Sequence, residues 1–173
     1  MARFVFLLLL LGFTSFSPAA DANRLNQEDD IREAVFRHQF DHNASGQQKS
    51  AHAYCLAVLV NGKDADPSDQ FMQRFSHHKP PVRKASACHW TSIQIVENYT
   101  GRSALLFRVS KIIWASATEV TVDGGYDEGN VSSSGNTYTV RKQNGKWAVT
   151  SDQMNVISED LTDTRHGGMY LVQ

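Results

Sequence analysis

Tyr138-Thr139-Val140-Arg141-Lys142-Gln143-Asn144-Gly145-Lys146-Trp147-Ala148-Val149-Thr150-Ser151 is the stretch from which the fold is read. Asn144-Gly145 suits the two positive-φ positions of a type I′ turn, and alternating residues flank it on both sides, a strong β-hairpin signal. A two-residue loop sets Lys142 opposite Trp147, Val140 opposite Val149 and Tyr138 opposite Ser151. Tyr138, Val140, Trp147 and Val149 then share one face, and Thr139, Arg141, Ala148 and Thr150 take the other. A ribbon with one apolar face is not stable alone, so further strands and at least one helix have to cover it.

The strands lie immediately upstream. Leu105, Phe107, Val109 and Ile113 alternate against Leu106, Arg108, Ser110 and Ile112, which predicts a long strand from Ala104 with Trp114 near its end. Thr118 to Tyr126 reads as the next strand, with Val120 and Val122 on its apolar face and Gly124-Gly125 marking a bend or bulge. Asp127 to Asn136 reads as a polar loop, and the hairpin extends to about Ile157. The segment from Glu159, including His166-Gly167-Gly168, has little apolar content and reads as a loosely held tail.

The cover comes from the N-terminal half. Asn26 followed by acidic residues suits a helix start, and the spacing predicts a helix over Gln27 to His42. Ile31, Ala34 and Val35 form one apolar group, with Phe36 and Phe40 further around the wheel, so the helix is expected to be covered on more than one side. A strand is expected from His52 to Val60, ended by Asn61-Gly62. Asp66-Pro67-Ser68-Asp69 offers a cap, a proline at the first helical position and an acidic first turn, opening a short helix with Phe71, Met72 and Phe75 on one stripe. Pro80-Pro81 stops it, and Val82 to Cys88 returns the chain to the strand that carries Cys55.

The first residues are a basic start at Arg3, an apolar run from Phe4 to Phe13 and a small-residue site at Ala20-Asp21-Ala22. This is the pattern of a secretory signal peptide cleaved before Asn23, since the apolar run is about half the ~20 residues a spanning helix needs. The expected division is a leader over 1–22, one α+β domain over 23–158 and the tail over 159–173. A mature chain of about 150 residues is long enough for one domain with a real core. An exported chain with two thiols, Cys55 and Cys88, most simply pairs them; two buried free thiols are the alternative, and the close spacing of zinc ligands is missing. A formal net charge of −1 with no Lys/Arg block asks for neither nucleic acid nor an anionic membrane. Asn43, Asn98 and Asn130 each open an Asn-x-Ser/Thr sequon, which bears on a eukaryotic source only.

The first helix, the long strand ending Lys111-Ile112-Ile113-Trp114 and the closing Tyr-x-Val-Arg…Asn-Gly-Lys-Trp-x-Val hairpin together resemble the nuclear-transport-factor-2-like superfamily. Tyr54-Cys55-Leu56, Asp66-Pro67-Ser68-Asp69, Pro80-Pro81-Val82 and Ser86-Ala87-Cys88 are similar to an exported bacterial branch with no assigned function. The resemblance implies a curved antiparallel sheet wrapped on an N-terminal helix and a short second helix, a cone-like α+β roll. It also implies a cavity that relatives use for catalysis, ligand binding or dimerisation, and fold alone does not choose among these.

Chemistry is sparse in the sequence. His38 and His42, four apart on the first helix, can share a face as metal ligands do, with a third ligand to come from His52, His77, His78 or His89. The bland alternative is that they border the helix interface with one ring nitrogen hydrogen-bonded. An acid–base enzyme would need a carboxylate inside the cone beside a tyrosine. Of the carboxylates near Tyr126, Glu119 and Asp123 fall on the solvent parity, and Asp127 and Glu128 read as loop residues. No nucleophile elbow or phosphate loop is visible, and no cofactor or metal is expected. The aromatic side chains, Trp147 and Phe107 among them, read as core, while Trp90 fits no clear alternation. The expectation is therefore an exported, non-catalytic domain that binds a small hydrophobic molecule or a protein partner, with homodimerisation through the open sheet face. A small acid–base isomerase or hydrolase is the alternative, and His38, His42 and Tyr126 are the pocket candidates in either case.

Overall fold

The computed structural model describes residues 18–158 apart from 44, 47, 49, 130 and 131. The apolar run of the expected leader and the tail from Glu159 lie outside the described residues. Helix α1 (Pro18–His42) is followed by β1 (Ala53–Val60), β2 (Lys63–Ala65), α2 (Asp69–Met72) running into a 3-10 turn (Gln73–Phe75), and β3 (Val82–Lys84). Then come β4 (Cys88–Trp90), β5 (Ile95–Glu97), β6 (Ala104–Ser116), β7 (Glu119–Gly129), β8 (Ser132–Gln143) and β9 (Lys146–Ser158). The strands pair in the order β2-β1-β6-β7-β8-β9, with β3 also on β1, while β4 and β5 form a separate ribbon. The result is an α+β fold: a curved, mostly antiparallel sheet laid against the N-terminal helix. Two pairings depart from a pure antiparallel meander, since β1 runs parallel to both β3 and β6. The long crossover through α2 and the β4–β5 ribbon re-enters the sheet in the direction of β1, as parallel neighbours require.

Short signals do much of the local work. Asn144 and Gly145 both take positive φ in the β8–β9 turn, and Asn61 and Gly62 do the same between β1 and β2. Asn61-Gly62 therefore makes a second hairpin, beyond ending a strand. Ser68, not Asp66, caps α2, its hydroxyl accepting from the Phe71 amide at 3.1 Å, so Pro67 lies before the cap instead of inside the helix. Asp66 is instead engaged by the Ser86 amide and hydroxyl. Helix α1 begins before the expected Gln27, and the Ala20-Asp21-Ala22 site lies inside it.

Ile31, Val35, Phe36 and Phe40 of α1 are buried against Leu105, Phe107 and Val109 of β6, Val120 and Val122 of β7, and Val140 of β8. Phe40 is central, its ring 5.0 Å from Tyr54, 5.1 Å from Phe107 and 5.8 Å from Phe75. Each such ring contributes about 1.5–3 kcal/mol by burial, and tilted or edge-to-face contacts add ~0.5–1.5 kcal/mol. These side chains fill most of the space between helix and sheet. On the other sheet face, Ala53, Cys55, Ala57, Ala104 and Leu106 form a second cluster with Ile95 of the β4–β5 ribbon. A Cys55–Cys88 disulfide fastens that ribbon to β1, with the Cα atoms 6.5 Å apart.

Bulges overturn one face assignment and one strand pairing. One extra residue of β6 between Val109 and Ile112 lets Ile112 pair with Val122, so Ile112 and Trp114 turn to the core and Ile113 is left 44% exposed. In the closing hairpin Lys142 does face Trp147 and Val140 does face Val149, but Thr150 is an extra residue, so Thr139 pairs with Ser151 and Tyr138 with Asp152. The expected Tyr138–Ser151 pairing is therefore wrong by one. A strand with a period of two turns every later side chain over when one residue is added. Asp127 and Glu128 are likewise not loop residues: β7 and β8 continue to Gly129 and from Ser132.

Candidate functional site

At the end of the interior reached by the last turn of α1, the packing leaves a recess of about 180 Å³ between that turn and strands β7, β8 and β9. Gln39, His42 and Asn43 line it from the helix side, Tyr126 from β7, Ser134, Asn136 and Tyr138 from β8, and Asp152 and Met154 from β9. Each strand contributes by alternation. On β7 and β8 the inward parity that buries Val122 and Val140 continues to Tyr126, Tyr138 and Asn136, and the Thr150 bulge gives the same parity to Asp152 and Met154. The volume is below the roughly 300–1,000 Å³ of sites for drug-sized ligands, so the recess suits a molecule of few heavy atoms or one end of a larger one.

A hydrogen-bond network shapes the recess. His38 Nε2 lies 2.9 Å from Asp152 Oδ2, and Asn136 Nδ2 donates to Asp152 Oδ1 at 2.6 Å. The His38 and His42 rings stack with centroids 4.3 Å apart, and His42 Nδ1 donates to the His38 carbonyl at 3.1 Å. Gln39, only 2% exposed, donates from Nε2 to the carbonyls of Arg108 at 3.0 Å and Gly125 at 3.3 Å, and lies 3.2 Å from the Tyr138 hydroxyl. Asn43 Nδ2 donates to the Gln39 carbonyl at 2.6 Å, satisfying an acceptor that the helix end leaves open. Burial pushes the Tyr138 hydroxyl well above the ordinary tyrosine range, helped by the nearby Asp152 charge and opposed by the Gln39 hydrogen bond. Burial also raises Tyr126, against a hydrogen bond with Ser132. Both phenols thus stay protonated and able to donate at neutral pH.

Among the candidates from sequence, His42 and Tyr126 line the recess, and His38 stands behind it as the partner of Asp152. Cys55 and Cys88 are far from this chemistry in role, joining the ribbon to the sheet. The other histidines do not gather: His78 Nδ1 bonds the Pro80 carbonyl at 2.8 Å and His89 Nδ1 bonds Asn98 at 2.6 Å. Among the described residues, no group of three or more His, Cys, Asp or Glu side chains is placed to hold a metal. None of the helices among them is long and apolar enough to cross a membrane. Glu128 faces inward at 5% exposure and accepts from Ser45, whereas Asp127 turns to the opposite sheet face and pairs with Arg108, which also binds Asp64 at 2.7 Å. Burial raises Asp127 despite the pull of that guanidinium.

Gln39, Asn136 and Asp152 were not legible as site residues. Gln39 lies between His38 and Phe40 with no motif around it, and Asp152 reaches the interior only through a bulge.

No family model, curated protein or solved structure matches the chain. The recess must therefore be interpreted from its own chemistry.

Proposed function

We propose that this is an exported, non-catalytic binding domain of nuclear-transport-factor-2-like type, whose ligand is a small polar molecule seated in the recess beside Tyr126, Tyr138 and Asp152. The observation that carries this reading is the recess itself, where hydrogen-bonding side chains from one helix and three strands converge on about 180 Å³. Export is supported by the leader pattern in the sequence and by the disulfide, which persists in oxidising compartments. The expected apolar ligand has less support than a polar one, because the apolar interior is taken up by Phe36, Phe40, Phe107 and their neighbours.

The acid–base alternative draws on the His38–Asp152 pair. Its groups are turned to each other: His38 Nε2 contacts Asp152, and both Asp152 oxygens already accept, from His38 and Asn136. Such an arrangement orients a carboxylate, whereas a general base has to reach its substrate's proton.

A thermal-shift panel of small polar metabolites, with lipids and small hydrophobics as a second arm, tests the reading together with a solution mass measurement. Stabilisation by members of the polar arm is expected. Stabilisation by the hydrophobic arm alone, or a silent panel with a dimeric mass, would overturn it in favour of an apolar ligand or of self-association.

A further inference from the structure

We infer that the stacked His38–His42 pair is an acid-operated latch on the recess wall: one proton tightens it, and a second drives His42 out of the lining and widens the recess. The latch requires no ligand. With both imidazoles neutral, the contacts of the pair need no charge. His38 Nε2 faces the ionised Asp152 carboxylate at 2.9 Å, which can only accept, so that nitrogen carries the proton. His42 Nδ1 faces the His38 carbonyl at 3.1 Å and donates for the same reason. The ring centroids then lie 4.3 Å apart, with the planes only 8° from parallel. Histidine is the side chain whose charge ordinarily changes between about pH 8 and 5, so two of them in contact make this wall sensitive to acid.

The two protons act in opposite senses. The first, on His38 Nδ1, makes the hydrogen bond to Asp152 charge-assisted, between side chains only 20% and 25% exposed, and so ties the last turn of α1 more firmly to β9. Asn136 holds the carboxylate in place through its other oxygen, and the C-terminal end of α1 favours one positive charge. The second proton goes to His42 Nε2 and sets a like charge against His38 at ring-contact distance. The titratable groups around the pair are Asp41 beside it on α1, Asp152 on β9, Tyr138 on β8 with its ring edge-on 5.7 Å from His38, and Tyr126 across the recess on β7. Glu128, also inward on β7, is bonded to Ser45. Among the described residues no carboxylate bonds His42, and no Lys or Arg lines the recess. His42 is the exposed last residue of α1, so turning its ring outward disturbs no helix beyond it.

The test follows the ¹³C,¹⁵N-labelled protein by NMR from about pH 8 to 5, reading the nuclear Overhauser contacts between the two rings and the amides of Asn136, Tyr138 and Met154. The ring contacts are expected at the upper end, should survive the first proton and should be lost with the second, and the three amides should shift in that last step. His42→Gln and His38→Gln each remove the like-charge pair and should abolish the amide step, with folding checked by circular dichroism. If His38→Gln fails to fold, His42→Gln, at an exposed helix end, decides alone. Ring contacts that persist to the acid end overturn the inference. An amide step of the same size in His42→Gln also overturns it and assigns the acid response to Asp152. Loss of the ring contacts with no amide step overturns it too, since the rings would then part without widening the recess.

Discussion

Gly125 has no room for a side chain. A Cβ built there would collide with the Ser134 carbonyl oxygen, and the obstacle is the backbone of the neighbouring strand, which cannot swing aside. Gly125→Ala is therefore expected to destabilise by about 1–3 kcal/mol, the range for overpacking. It should also disturb the Gln39 hydrogen bond to the Gly125 carbonyl. A urea melt that matches the parent protein would refute this close approach. Glu97 makes a different residue-scale prediction. Its carboxylate accepts from Thr100 at 2.7 Å and Arg83 at 2.8 Å, and these hold its pKa below the ordinary glutamate range. A carboxyl lowered by folding contributes stability above its unfolded value, ~4.3, and loses it as the pH falls through the folded value. Glu97→Gln should lower Tm at pH 7, with the difference from the parent shrinking below about pH 4. A difference that stays constant down to acid pH would show that the charge plays no part.

At the scale of elements, α1 owes its place to one broad apolar face more than to its own propensity. Phe40 touches β1 through Tyr54, β6 through Phe107 and the turn after α2 through Phe75, so it joins the helix to two neighbouring strands and to that turn. Phe40→Ala should cost about 3–5 kcal/mol, read from chemical denaturation, because rings on three sides cannot all collapse into the space left. A loss under about 1 kcal/mol would mean the helix is held elsewhere. The same scale shows where sequence reading succeeds and fails. The Asn144-Gly145 turn, the Phe71 and Phe75 stripe and the cysteine pair are local or compositional signals, so they were readable. A bulge adds one residue for reasons of sheet curvature and carries no residue type of its own, so the regular alternation misplaced Ile113 and left Asp152 unnoticed. The histidine pair was readable by its four-residue spacing, but its partner depended on that bulge. Gln39 was unreadable for a different reason: a polar residue in a helix is ordinarily at the surface, and only the distant carbonyls of β6 and β7 make its burial tolerable.

For the whole molecule, the question is what holds the β4–β5 ribbon on the far face of the sheet. Its own apolar contribution is small: Ile95 and Val96 are buried, while Trp90 at its end is partly exposed. Further ties act on it, among them the Arg83–Glu97 ion pair from β3, the Cys55–Cys88 disulfide from β1, and isolated β-bridges from Gln94 to Gly129 and from Val96 to Ser103. The disulfide joins residues 33 apart in sequence, for which loop closure in the unfolded chain predicts about 3–4 kcal/mol of stabilisation. In a domain of this size that corresponds to roughly 10–20 °C in Tm. Reduction should therefore lower Tm by that order while leaving the α1-side core intact, since Cys55 belongs to the opposite cluster. The Cys55→Ala, Cys88→Ala double variant should reproduce the shift without reductant and should no longer respond to it. Near-ultraviolet circular dichroism would retain the tyrosine and tryptophan signals of the main core, because Trp114 and Trp147 pack against each other at 5.7 Å on the helix side of the sheet. An unchanged Tm after reduction, with both thiols alkylated only under denaturing conditions, would mean the ribbon is held by its packing, its ion pair and its backbone bridges without help from the disulfide.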